Sequence, residues 1–402
     1  MKPSPTDAPI LNTQSTSART IWVVLFASLL ITSTFQIRSM LLISFIGMFA
    51  ILISYLVFST GITIEKNRNV FLVLAVLFIY SIVFSNFTAR SAFLALSFLF
   101  SFLFYCTLKD LKLGAISGNK ADYIVLCKLA IAIYSLAQAV LLVYQYSQNP
   151  VRSTGFFLDY SQASIFILIS FCLVYPYLKK LIVPGSVLTF ILFLGFFTTY
   201  SRTSNFLLII MLGAIAVFEW KKGDIKHLAL LCIVIFLAYL CIYAYPLLVD
   251  ANTVSRGGIT QLATLNSRVY YWGSAIDAIK AHPFMGNGLG NFEYLGIKDI
   301  YPFHKIQYVH NDYLQVWVDL GLFWLLAFIA FLSRNLLHYR PKLSDLGVSI
   351  TAMEKQHIAL TRYLAWSLLA ALCLYMLINF ILHSFLLQIL IVVIFVDLTE
   401  DD

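Results

Sequence analysis

Residues 179–222 read KKLIVPGSVLTFILFLGFFTTYSRTSNFLLIIMLGAIAVFEWKK. The two apolar runs, 182–200 and 203–219, each approach the length a helix needs to cross the hydrocarbon core of a bilayer. Between them Thr199-Tyr200-Ser201-Arg202-Thr203-Ser204 leaves room only for a tight polar turn. Lysine pairs, Lys179-Lys180 and Lys221-Lys222, stand at both outer ends. A hairpin of two membrane helices satisfies all of this, with the turn at one surface and the lysines at the other.

The rest of the chain extends the pattern. Of 402 residues, 60% are hydrophobic and 11% charged, whereas a soluble domain carries roughly a quarter charged. Further apolar runs lie at about 21–36, 40–60, 70–87, 91–107, 122–147, 161–178, 226–247, 313–333, 361–380 and 383–397, which makes about twelve spans with the hairpin. Alternate connections differ in charge. Arg38, Arg90, Arg152 and Arg202 are single cations, while the connections between them hold Lys66 with Arg68, Lys109 with Lys112 and Lys120, Lys179 with Lys180, and Lys221 with Lys222 and Lys226. Arg334, Arg340, Lys342, Lys355 and Arg362 continue the series. The positive-inside rule then puts the lysine-rich connections and both termini in the cytoplasm. The net charge of +8 is distributed to orient a membrane protein, and nucleic acid is not an expected partner.

The expected organisation is an all-α polytopic membrane protein. A polar tail, 1–20, precedes helices over 21–247; a long outer loop, 248–312, is followed by the last helices and a short tail over 313–402. The run from Ile21 to Phe35 has no small-x-small cleavage site and reads as an uncleaved first helix. The six cysteines lie in or beside apolar runs with no CxxC pair, so neither a disulfide framework nor a zinc site is expected.

The long loop has five Lys/Arg and five Asp/Glu. Within it Ser267–Ala281 reads as an amphipathic helix at the membrane interface, with Val269, Trp272, Ile276 and Ile279 at helical spacing and Asn266 or Ser267 as its cap. His282-Pro283 ends it, and Gly286, Gly288 and Gly290 make a turn.

Ionisable groups near the bilayer need a reason to be there. Arg202 fits an ordinary interfacial arginine. It also fits an anion site, held close to the surface by its hydroxyl neighbours, where the phosphates of a lipid-linked substrate lie and a guanidinium binds them bidentately. Arg268, read as opening the loop helix, opposes the helix dipole, a local conflict of the kind functional sites show. Arg152 precedes Ser153-Thr154-Gly155-Phe156 on the same face. His310, in His310-Asn311-Asp312-Tyr313, is either a structural donor or a proton carrier, with His282 and His304 as competitors. Walker, GxSxG and HExxH sequences are absent. The first outer connection is too short for the paired acidic motif of metal-dependent lipid-linked glycosyltransferases. Few Asp, Glu or Lys fall inside the spans, which weighs against a coupled transporter.

Three segments together resemble the O-antigen ligase and polymerase superfamily of bacterial envelopes. They are Arg152-Ser-Thr-Gly-Phe-Phe, Tyr200-Ser201-Arg202-Thr203, and the series from Asn266-Ser267-Arg268 through His282-Pro283-Phe284-Met285-Gly286-Asn287-Gly288-Leu289-Gly290 to His310-Asn311-Asp312-Tyr313-Leu314-Gln315 and Asp319-Leu320-Gly321. The resemblance implies a GT-C-like fold. It also implies transfer of a glycan from undecaprenyl diphosphate to an acceptor hydroxyl on the periplasmic face of the bacterial inner membrane, without metal or other cofactor. On it, Arg202 and Arg268 hold the diphosphate and His310 activates the acceptor. Arg152, Tyr200, Ser201 and Asp312 line the substrate. Among family activities the length and the single long loop favour a ligase acting on lipid A–core, in lipopolysaccharide biosynthesis. A polymerase of repeat units is the alternative; a protein-glycosylating member, usually longer, and a lipid-linked sugar flippase follow.

Overall fold

The computed structural model describes residues 62–83, 88–115, 122–148, 152–157, 159–249, 263–292, 308–341, 353–379, 381–382 and 384–398, with Ile51 and Leu52; every regular element among them is helical. In chain order these are α1 (Ile62–Lys66), α2 (Arg68–Val83), α3 (Thr88–Ala115), α4 (Asp122–Gln148), α5 (Tyr160–Leu178), α6 (Ile182–Thr198) and α7 (Arg202–Lys222). They continue with α8 (Ile225–Val249), α9 (Ala263–Ala281), α10 (Asp312–Leu320), α11 (Leu322–His338), α12 (Met353–Tyr375) and α13 (Phe385–Leu398).

The bundle is built round α5. Asp159, in extended backbone, starts it by accepting from the amides of Ser161 (2.6 Å) and Gln162 (3.1 Å), two of the donors a helix N-terminus leaves over. From Ser161 to Pro176 every residue is buried, as expected of a helix apolar on all sides. Helices α4, α6, α7, α12 and α13 surround it, and α8 packs outside α6. At Gly195 of α6 a Cβ would come 2.5 Å from the Ala139 Cα, so the backbones of α4 and α6 meet through the missing side chain.

Single polar contacts tie neighbouring helices where lipid offers no alternative partner. Ser164 meets Ser204 at 2.7 Å between α5 and α7, and Ser101 donates to Gln388 at 2.9 Å between α3 and α13. At the end where α5 finishes, Lys179 bridges Glu219 and Asp224 (2.5 and 2.7 Å), and Lys128 of α4 pairs with Asp397 of α13 at 2.8 Å. Charges therefore do occur within the expected spans. Near helix ends and matched in pairs, they brace the fold in the way buried charges in membranes are tolerated.

Among the described residues six helices are long and apolar enough to cross a membrane: α3, α4, α5, α7, α8 and α12. Shorter apolar helices fall in α2, α6, α11 and α13. The two N-terminal spans expected at 21–36 and 40–60 lie outside the described residues, apart from Ile51 and Leu52. The chain is a helical, multi-pass membrane protein; a count of twelve requires the shorter helices and those two spans to cross as well.

Two expectations need correction. The run 313–333 is not one helix: it breaks at Gly321, whose φ of 88° and contact with the Phe284 carbonyl exclude a side chain. The loop helix starts at Ala263 rather than at Ser267, so Arg268 lies in its second turn instead of opening it. Ala263 and Leu265, both good helix formers, carry the extra turn. Its inward face is also rotated from the expected one. Ala275 and Ile279 are buried with Trp272 against Phe292, Val309 and Val318, while Val269 and Ile276 are exposed.

Candidate active site

A rigid interlock sets the position of His310. The turn after α9 and the α10–α11 break clasp each other by backbone bonds, Asn287 N–H to Val318 C=O (2.7 Å), Gly288 N–H to Asp319 C=O (2.9 Å) and Leu322 N–H to Pro283 C=O (3.0 Å). The buried Asp319 carboxylate then accepts from the Gly290 amide (2.9 Å) and from Gln315 Nε2 (3.0 Å). Gln315 Oε1 in turn accepts from the Val309 amide at 2.8 Å, one residue before His310. The glycine turn thus spends two of its amides on Asp319 and is a scaffold, not a phosphate cradle.

On the other side of His310, Asn311 caps α10 by accepting from the Leu314 amide at 3.0 Å. Asp312 is fully buried; its amide donates to Met376 C=O (2.9 Å) and its carboxylate accepts from the Ile381 amide (2.8 Å). Asp312 therefore holds the start of α10 against the segment following α12. Braced from both sides, His310 adopts a left-handed φ of 56°. Among the described residues the only other non-glycine with positive φ is Tyr200, at 49°. Such strain persists where surroundings impose it and concentrates at functional sites. Both outliers fall in segments singled out from the sequence.

Around the imidazole, Tyr271 of α9 stacks at 5.8 Å between centroids, and Asn379 makes a side-chain hydrogen bond. Burial pushes the His310 pKa down from 6.5 to about 4; the Arg268 guanidinium pushes the same way, opposed by the Asp159 carboxylate and the Asn379 bond. His310 is thus neutral at physiological pH. Asn379 Nδ2 also donates to Tyr375 Oη at 2.6 Å. Tyr375 donates in turn to the Ser161 carbonyl (3.4 Å) and bonds Ser204. Ser204 meets Ser201 at 2.9 Å. A continuous polar chain therefore runs from the start of α7 to His310.

Ser201 is the N-cap of α7, and Arg202, its first residue, is exposed. Tyr200 shares a 2.6 Å hydroxyl contact with Tyr146 and packs edge-on to Tyr243. Arg152 lies over the Tyr160 ring at 4.6 Å. Its segment is strapped to α4, where Gln138 accepts from Phe156 N–H (2.9 Å) and Gln145 accepts from Gly155 N–H (2.9 Å), and to the end of α6, where Ser153 N–H reaches Thr198 C=O (3.2 Å). A Cβ on Gly155 would strike the Gln138 side chain, which explains the glycine.

Arg268 and His310 are thus brought into electrostatic contact, and Ser201 joins them through Ser204, Tyr375 and Asn379. Arg202 and Arg152 stand at the same end of the bundle without a described contact to His310. Asp312 and Tyr200 do structural work. His304 lies outside the described residues, and His282 is exposed at the end of α9. Among the described residues no group of three His, Cys, Asp or Glu side chains could hold a metal ion. Asp159, Tyr375, Asn379 and Tyr271 were not singled out from the sequence. Asp159 before an apolar run is an N-cap signal, and Asn379 is a lone amide in Leu377-Ile378-Asn379-Phe380; both could have been marked.

No curated protein matches the chain. The family model described as O-antigen ligase matches residues 187–332, from within α6 to within α11. That stretch contains Arg202, Arg268, His310 and the glycine–Asp319 interlock, and over it the chain is similar to the O-antigen ligase family.

Proposed function

We propose that the chain is a glycosyltransferase that moves a glycan from undecaprenyl diphosphate to an acceptor hydroxyl, with His310 as base and Arg268 and Arg202 as the diphosphate clamp. The observation that carries this is the placing of a neutral imidazole beside the Arg268 guanidinium at one end of a membrane bundle. In the step, the imidazole takes the acceptor O–H proton as the oxygen attacks the anomeric carbon. The bond from that carbon to the phosphate oxygen breaks, and the carrier diphosphate leaves with the electron pair. Attack opposite the leaving group inverts the anomeric centre. Guanidiniums stabilise the charge that develops on the diphosphate, which needs no proton to depart. On this reading Arg152, Tyr200 and Ser201 shape the substrate side, Asp312 supports it from within, and no metal takes part.

The lysines at the opposite end support a periplasmic site in the bacterial inner membrane with cytoplasmic termini. The proposed acceptor is lipid A–core; a second polyprenyl-linked repeat unit is the alternative. Protein in nanodiscs given a polyprenyl diphosphate-linked glycan and either acceptor tests both points. His310→Ala should abolish transfer while donor binding persists, because the imidazole acts on the acceptor. Equal loss of binding and turnover would make His310 a phosphate-binding or structural residue. Product on the repeat unit alone would assign a polymerase.

A further inference from the structure

We propose that a groove between α6 and α8, at the lysine-rich end of the bundle, holds an anionic glycerophospholipid, with its head at the helix ends and one acyl chain between the helices. It lies at the opposite end from His310 and is independent of the chemistry assigned there. The groove has an empty volume of about 370 Å³ and is lined by the end of α5 and the first turns of α6 and α8. That is near the small end of the roughly 300–1,000 Å³ usual for ligand pockets, so it takes part of a lipid and not the whole. From His227 to Val234 it follows α8 for two turns, about 10 Å of rise. Ile182, Leu230, Leu231 and Val234 make its wall apolar. The hydroxyls of Ser186 and Thr189 donate one turn back, to the Ile182 carbonyl (2.6 Å) and the Gly185 carbonyl (2.7 Å), and so add little polarity. Gly185 adds no side chain, because a Cβ there would come 2.2 Å from the Leu178 carbonyl. On the flanks Val183, Val187, Ile233 and Phe236 are each more than half exposed, as residues facing lipid are in a membrane bundle.

The rim of the groove is basic. Lys179 and His227 line it, both held in place: Lys179 bridges Glu219 and Asp224, and His227 Nδ1 meets Asp224 at 2.6 Å. These two carboxylates are outnumbered, since Lys180, Lys221, Lys222 and Lys226 adjoin the same helix ends and make five lysines with Lys179. Glu219 is also fully buried, so its charge is turned inward to Lys179. A basic pocket between membrane helices on the lysine-rich side favours an anionic lipid head. A soluble phosphate would use the rim and leave the apolar wall uncovered. A zwitterionic lipid would cover the wall and leave the excess positive charge unmatched. An anionic phospholipid matches both.

Native mass spectrometry of the detergent-purified full chain, offered phosphatidylglycerol and phosphatidylcholine in equal amounts, tests this. Phosphatidylglycerol should be retained in preference by about tenfold or more, and added salt should weaken the preference. Lys180→Gln combined with Lys226→Gln, both exposed, should cut it at least about fivefold, the effect of one lysine beside a charged lipid. Ser186→Trp fills the groove without altering charge and should lose the retained lipid. Equal retention of the two lipids by the wild type, or undiminished retention by Ser186→Trp, would overturn the proposal. Should Ser186→Trp fail to fold, the double lysine variant decides. Inorganic phosphate that raises the unfolding temperature as far as phosphatidylglycerol does would make the rim a site for a soluble anion and overturn the lipid. A dimer that Ser186→Trp abolishes would assign the groove to a second copy of the chain, with the same consequence.

Discussion

In the Arg268→Gln variant the acid limb of the transfer rate should move to higher pH. Burial and then Arg268 lower His310 from 6.5 to about 4, against Asp159 and the Asn379 bond. At 1.36 kcal/mol per pKa unit, that drop disfavours the imidazolium by about 3 kcal/mol. Burial is the larger cause, so removing the guanidinium returns the smaller share and leaves the limb between about 4 and 6.5. Donor binding should act in the same direction, since a diphosphate against Arg268 offsets its charge. The limb of kcat, which reports the bound enzyme, should therefore lie above that of kcat/KM, which reports the free one. The assay is transfer by nanodisc-embedded protein from pH 3.5 to 8. A wild-type kcat/KM limb between 6 and 7 that Arg268→Gln leaves in place would refute the reasoning.

A stability control belongs beside that assay. The folded imidazole has the lower pKa, so on acidification the unfolded chain takes up its proton first, from about pH 6.5. Stability from this group is complete above that pH and falls, by about 3 kcal/mol at most, as pH drops to about 4. Loss of rate that tracks unfolding is thereby distinguished from loss that tracks protonation of a folded base.

Arg202→Lys keeps the charge and loses the planar fork, so transfer should fall about tenfold or more, corresponding to one charge-assisted hydrogen bond; wild-type rates would remove Arg202 from the clamp. Transfer should persist in EDTA, and activity lost there and restored by magnesium or manganese would reveal a cation site. Asp319→Ala strips partners from the Gly290 amide and Gln315, at about 1–3 kcal/mol each. It should lower the unfolding temperature and transfer together, and a normal melting curve would show that the interlock does not hold the loop.

The hairpin at 182–219 and its polar turn were legible because membrane crossing leaves a strong compositional mark, and the mark does not depend on what the helix packs against. The break at Gly321 was not. Hydropathy is continuous across it, and only the approach of the Phe284 carbonyl requires the chain to stop being helical there. The loop helix shows the same limit in reverse. Its apolar spacing located the element, but Val269 and Ile276 face outward because Ala275, too small to stand out in a hydrophobic pattern, sits at the contact with Val318.

The same contrast runs through the site. His310, Arg202 and Arg268 could be picked out because a titratable or charged group beside apolar sequence is conspicuous on its own. Asp159, Tyr375 and Asn379 acquire meaning only from their neighbours: Asp159 is 151 positions from His310, and Asn379 is 69, in an ordinary apolar setting. The motif residues Gly290, Gln315 and Asp319 hold each other, and through Val309 they brace the backbone on which His310 keeps its left-handed conformation. A sequence pattern marks both the residues that react and those that hold them. Telling the two apart requires knowing where each hydrogen bond is spent, and here amides of the glycine turn are taken by Asp319 while the Arg268 guanidinium acts on the His310 ring.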